Sequence, residues 1–387
     1  MGYHNFSAGG GHKWRSILVV FVLAVILTAG SLLYSNYLHA GNLVKVITLI
    51  QTHYLHPVDN TRMVDGAIKG LVNSLNDPYS VYLDPSTFAK LQEQIKGTFG
   101  GLGILVGVKE DYLMVVRAYQ GTPAAREGIM DGDIIVKIDD HDTRGIDLDT
   151  AINLMRGPVG SQVRLTIDRK QGTREGQQFT RTLIREEISV PTVEGRKIPG
   201  TEIMYISITQ FTERSDDEMR EVLSKLEGEP VQGIILDLRD NPGGELTAAV
   251  EVARNFVPKG PIVYIDYRVG QEQVFQSEGQ VIDLPLVVLI NEGSASAAEI
   301  LAGAIKDTGS GTLVGAKTFG KGIVQTVFPL DGGAGLKLTT ARYLTPARND
   351  IHEKGILPDT QVNSFEDPSR DFQLEQALEI MKQKISG

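Results

Sequence analysis

LVVLINEGSASAAEILAGAI, residues 286–305, decides the fold of the C-terminal half. The unbroken aliphatic run Leu286 to Ile290 reads as a strand buried on both faces. Asn291 to Ser296 is a turn rich in small residues, and Ala297 to Ile305 reads as the helix it opens. Working outward, Ile203 to Ile208 and Ile234 to Leu238 are further strands. Ser215 to Leu226 reads as a helix, with Met219, Val222, Leu223 and Leu226 on one face. Leu246 to Phe256 is amphipathic, and Ile323 to Phe328 and Leu336 to Tyr343 are strand-like. Strands and helices in alternation predict an α/β domain around a mainly parallel sheet.

The quoted turn sets a hydroxyl where a strand feeds a helix. Backbone N–H groups point outward there and favour negative charge. A nucleophilic serine needs that setting, because its tetrahedral intermediate carries an oxyanion. Serine is also an ordinary helix cap, and the residues alone do not choose between Ser294 and Ser296. The stretch Lys317-Thr318-Phe319-Gly320-Lys321-Gly322-Ile323-Val324-Gln325 adds a lysine among small and apolar residues. Lys321 can act as a general base only when neutral, so burial must bring its pKa from about 10.4 to near 7, at a cost of about 4 kcal/mol. Gln325, four residues on, shares a strand face with Lys321 and can hold the amine toward the hydroxyl. A solvated turn lysine is the plainer reading. Gly315, Gly320 and Lys321 also approach a phosphate-binding loop, but Gly322 stands where its Ser or Thr belongs and the next run is β-patterned.

Asp237-Leu238-Arg239-Asp240-Asn241-Pro242-Gly243-Gly244 takes another strand into a Pro-Gly-Gly turn. An amide of Gly243 or Gly244 can supply half an oxyanion hole and the Ala297 amide the other half. Of seven histidines, only His141 and His352 fall where a core can take them, so a histidine base remains a minor alternative.

The bulk of the chain narrows the classes. Its 387 residues suffice for two or three domains, and a net charge of -10 argues against nucleic acid as the main partner. The absence of cysteine excludes disulfides, thiolate metal sites and a cysteine nucleophile. No metal or cofactor is implied. His12, Lys13 and Arg15 precede an apolar run from Ile17 to Leu33, about the length that crosses a bilayer. This predicts a single-pass, N-in anchor with the rest extracytoplasmic or periplasmic; a cleaved signal peptide is the alternative.

Residues 42–95 read as helical, interrupted at Asp77-Pro78-Tyr79-Ser80, with Asp84-Pro85 opening a helix to about Ile95. Phe99 to Ile167 holds short strands and two helices in one compact module, and the polar stretch Arg169 to Gln178 reads as a hairpin tip.

Taken in order, these motifs resemble those of the C-terminal processing peptidases, or tail-specific proteases. The resemblance runs from about Leu43 to Asp359 and also uses DPYSVYL at 77–83, FGGLGI at 99–104 and REGIMDGDII at 126–135. It implies Ser296 as nucleophile, Lys321 as base and Gln325 as its assistant. Ala298 departs from the serine that many members carry there. The middle module then resembles a PDZ domain, a small β-barrel with two helices. Such modules hold a C-terminal carboxylate on backbone amides and extend the ligand as an added strand. Gly101, Leu102, Gly103 and Ile104 match the carboxylate loop, and Arg156 is a candidate contact. The expected architecture is an anchor (1–36), helical segment (37–95), PDZ domain (96–186), catalytic core resembling the crotonase-like ββα fold (187–362) and C-terminal helix (363–387). The expected partners are proteins with exposed apolar C-termini, and a homo-oligomer is admitted. A PDZ adaptor with a silent catalytic half stays open as the alternative. PDZ-bearing trypsin-like proteases fit less well, since Asn241-Pro242-Gly243-Gly244 carries no serine.

Overall fold

The computed structural model describes residues 40–169, 177–225, 228, 230–362 and 370–386. Two units are distinguished, Met1–Ser74 and Leu75–Gly387. In the first, residues 40–53 are helical and a second helix covers Asn60–Asn73. Asp59 caps the latter by accepting from the amides of Thr61 and Arg62.

The second unit holds the sheets. Its central one has six strands in the order Val193–Lys197, Ile203–Ile208, Gly233–Asp237, Leu286–Ile290, Thr312–Gly315 and Thr360–Gln361. Only the first pairing is antiparallel. The expectation of a mainly parallel sheet holds, and the strand alternation explains the continuous apolar runs. Ile234, Leu236, Val288 and Ile290 face one core, with helices Leu246–Ala253 and Ala297–Thr308. Ile235, Val287 and Leu289 face the other, closed by Ala377 and Met381 of helix Phe372–Ser386. That helix is pinned by Arg239, which bonds Asp237 at 2.6 Å and Asp371 at 2.7 Å. Asp237 is buried, so Arg239→Ala strands a charge and is expected to cost about 3–5 kcal/mol, measured by urea unfolding.

A second, antiparallel sheet is built on the long strand Gly335–Leu344, flanked by Ile323–Pro329, Gly260–Tyr267 and Val81–Leu83, with Gln273–Ser277 outside. Val81–Leu83 lies within the stretch expected to be helical; it pairs with Gly335–Lys337, a partner too distant in sequence for local periodicity to reveal. The helix after it, Pro85–Lys96, starts at the Asp84 cap as expected.

The middle module is a sheet of Ile104–Lys109, Tyr112–Ala118, Ile134–Ile138, Gln162–Arg169 and Gln177–Ile184, with His141–Asp142 at one side and helices Pro123–Arg126 and Leu148–Met155. Its own core contains Leu113, Ile135, Ala151, Leu165 and Leu183. Thr98–Gly101 and Glu186–Ser189 pair where the chain enters and leaves it. The tip of the expected hairpin at 170–176 lies outside the described residues.

The expected localisation is corrected. No helix among the described residues is long and apolar enough to cross a membrane. The reading rested on the apolar run at residues 17–33 and the basic residues before it, all outside the described residues, so the N-in anchor and extracytoplasmic placement are withdrawn.

Candidate active site

Three turns meet at the C-terminal ends of the parallel strands. After Leu286–Ile290 the chain turns through Asn291 and Ser294. The Ser294 hydroxyl, fully buried, donates to the Leu238 carbonyl (2.7 Å) and accepts from the Asn291 amide (3.0 Å). It braces two strand ends and is committed on both sides. Ser296 follows at φ +54°, ψ -114°, a conformation rare for a side-chain-bearing residue, at the start of helix Ala297–Thr308. Strain of this kind collects at functional turns and costs about 1–3 kcal/mol.

The Pro-Gly-Gly turn lies against this serine. A Cβ on Gly243 (φ +97°) would stand 2.8 Å from Ser296 Cβ and 2.9 Å from the Ala297 nitrogen, so no larger residue fits. Asn241, fully buried, fastens the turns: its carbonyl accepts from the Ala295 amide (2.9 Å) and its Oδ1 from the Gly243 amide (2.8 Å). Of the expected oxyanion donors, Gly243 is therefore already engaged. The Gly244 and Ala297 amides donate to no other described residue.

The third turn carries Lys321, and a residue the sequence reading passed over ties it to the serine. Glu299 is fully buried in the first turn of the helix. Its Oε2 accepts from the amides of Ser296 (2.9 Å) and Lys321 (2.8 Å). Its Oε1 accepts from the Gly320 amide (2.8 Å) and the Thr318 hydroxyl (2.6 Å). One carboxylate thus joins the two turns. The signal was present: Ser296-x-x-Glu299 before an apolar run is a capping-box pattern. Below it, Tyr343 donates its hydroxyl to the Ser296 carbonyl (3.0 Å), and burial pushes its pKa well up.

Burial, followed by the charge of Lys337, holds the Lys321 pKa below the ordinary lysine value; Glu299 acts the other way. The direction is the one a lysine base requires. The Lys321 amine lies 5.0 Å from the centroid of the Tyr79 ring, and no hydrogen bond joins it to Ser296. Gln325 pairs with Thr339 on the neighbouring strand, and its Nε2 is buried without a partner. Neither remaining histidine bonds Ser296: His141 is exposed on the middle module, and the Nδ1 of His352 has no partner.

In the middle module, Gly101, Leu102, Gly103, Ile104 and Arg156 line one cavity of about 320 Å³. The Arg156 guanidinium stacks on Phe99, 4.0 Å from its centroid. Phe99, Arg156 and Val190 also line a larger groove of about 1070 Å³ that continues to Thr209 and Gln210. The next residue, Phe211, donates its amide to the Gly243 carbonyl (2.9 Å). Among the described residues no cluster of side chains suits a metal ion.

An α/β core with a serine at a strained strand-to-helix turn, joined to a small β module with a terminal groove, defines a class of peptidase. Comparison with known proteins agrees. The model for peptidase family S41 matches residues 202–362, a PDZ model matches 114–169, and the N-terminal domain model of the activating protease CtpB matches 34–87. A carboxyl-terminal-processing protease from Synechocystis sp. is 38% identical over 346 residues, 86% of this chain and 80% of its own. The carboxy-terminal processing protease CtpB of Bacillus subtilis is 36% identical over 81% of this chain and 66% of its own. The solved photosystem II D1 C-terminal processing protease covers 85% of this chain and is itself covered to 88%, at 30% identity and a TM-score of 0.51. The chain belongs to the carboxyl-terminal processing proteases of peptidase family S41, serine-type peptidases with a PDZ domain.

Proposed function

We propose that the protein is an endopeptidase that takes the free C-terminal tail of a protein substrate into the PDZ cavity and cleaves it with Ser296. Residues 96–186 serve capture and 187–362 serve the chemistry. Neutral Lys321 takes the Ser296 proton as the hydroxyl attacks, then returns it to the leaving amine. Gln325 steadies the amine. The amides of Gly244 and Ala297 stabilise the oxyanion, and water releases the acyl-enzyme. The observation that carries this reading is the carboxylate of Glu299, which holds the Ser296 and Lys321 backbones on one oxygen. Arg156, shared by cavity and groove, is assigned to the tail.

The test is cleavage of an unfolded reporter with an apolar free C-terminus by the full chain, against the same reporter amidated. Amidation is expected to raise KM about tenfold or more, the worth of a charge-assisted bond or two. A Cβ on Gly103 (φ +73°) would overlap the Thr122 side chain at 2.3 Å, so Gly103→Ala is expected to raise KM for the free tail and leave kcat close to wild type. Equal cleavage of the two reporters would overturn capture of the carboxylate. Cleavage by Ser296→Ala would overturn the nucleophile.

A further inference from the structure

The segment Asp77-Pro78-Tyr79-Ser80 is built as a fixed bracket, and the proposed chemistry leaves it without a role. The Tyr79 amide donates to Asp77 Oδ1 at 3.0 Å, and the Ser80 hydroxyl donates to Asp77 Oδ2 at 2.5 Å. Ser80 Oγ in turn accepts from the Thr339 amide at 3.0 Å, and Thr339 is the cross-strand partner of Gln325. Ser80 is buried, so the bracket is anchored to the strand beside the base and not to solvent. What it presents is the Tyr79 ring, 5.0 Å from the Lys321 amine.

An aromatic face attracts an ammonium and not a neutral amine. The position over the ring is therefore one for the charged form, whereas proton transfer from Ser296 needs the neutral form. Gln325, proposed to steady the amine, leaves its Nε2 buried and unpartnered. We infer that Tyr79 is a positioning residue that holds protonated Lys321 away from Ser296, so that loss of the proton frees the amine to reach the serine. The inference rests on Lys321 being the base.

Other groups around the amine are accounted for. Lys337, on strand Gly335–Leu344, disfavours the charge, and Glu299, from helix Ala297–Thr308, favours it. Asp77 of the bracket and His352 and Glu353 of the facing loop line the adjoining cavity of about 410 Å³ together with Tyr79. Tyr79 differs from these in being in contact with the amine without carrying charge, so its contribution is separable by keeping or removing the ring.

The experiment compares Tyr79→Phe and Tyr79→Leu in the full chain. The Lys321 titration midpoint is read directly by NMR of lysine labelled at Cε, in a Ser296→Ala background, with Lys321→Arg to assign the signal. The acid limb of kcat/KM is read in parallel on the free-tail reporter. Tyr79→Leu is expected to lower the midpoint, and to move the limb with it, by roughly 0.5–1.5 pH units, the range a cation–π contact supports. Tyr79→Phe keeps the ring and is expected to leave both in place. An unmoved midpoint in Tyr79→Leu, or equal shifts in the two variants, would overturn the inference. Tyr79→Met replaces Tyr79→Leu should the latter melt early. Cleavage with an unmoved midpoint sinks this inference alone; a moved midpoint without cleavage sinks the Ser–Lys reading and leaves the contact standing.

Discussion

Ser296→Ala and Lys321→Ala are each expected to lower kcat on the free-tail reporter by about 10⁴-fold or more, with little further loss when combined. Nucleophile and base act as one unit, so removing either forfeits the same step. The residual rate belongs to the oxyanion donors and to binding. Wild-type kcat/KM is expected to rise with pH through the Lys321 pKa, because only the neutral amine accepts the serine proton. Burial and Lys337 bring that limb below the ordinary lysine range. In Lys321→Ala the limb is expected to vanish, and raising the pH should not restore activity. The check is a full pH profile of both variants. An intact limb in Lys321→Ala would assign it to another group and remove the lysine from the mechanism. Ser294→Ala gives the internal control: its hydroxyl braces Leu238 and Asn291, so the variant should lose stability before it loses chemistry.

Glu299→Gln is expected to have the next largest effect, on both kcat and stability. The carboxylate receives two donors on each oxygen. An amide in its place offers one acceptor oxygen and sets an NH2 group against two donors. Losing two charge-assisted bonds while burying unmatched donors is worth about 3–4 kcal/mol. Part of this, about 1 kcal/mol, appears as a fall in melting temperature on the order of 2–4 °C. The rest, about 10²-fold in kcat, appears because Ser296 and Lys321 lose their common support. The measurement is kcat for the fraction that remains folded, judged by near-UV circular dichroism, beside the melt. A variant that melts early yet turns over normally when folded would leave Glu299 a structural role only.

Much of this was legible because the proposed site sits where local patterns change. Leu286–Ile290, Ile234–Leu238 and Ile203–Ile208 announced themselves as continuous aliphatic runs, and the turns after two of them held Ser296 and the Gly243–Gly244 pair. The middle module declared itself by short strands between glycines. What escaped were long-range relations. Val81–Leu83 has no strand period of its own and exists through pairing with Gly335–Lys337. Gly260–Tyr267 and Gln273–Ser277 were passed over, and the former takes its place through Ala341–Leu344. That the Gly243 amide is engaged depends on the Asn241 side chain, whose reach no spacing rule gives. Glu299 was missed for another reason: its cap pattern was visible, but its partners Thr318, Gly320 and Lys321 come from a different turn.

The lacing of the three turns by Asn241 and Glu299 also bears on how such a site can change over time. With the Asn241 carbonyl bound to the Ala295 amide and the Glu299 carboxylate shared by Ser296 and Lys321, no one turn can be lengthened, shortened or exchanged without unseating the others. Variation is left to the surroundings: the groove walls, the PDZ cavity and the bracket that carries Tyr79. On the proposed function, new tail preferences would arise by substitution around a cleavage centre that is inherited whole.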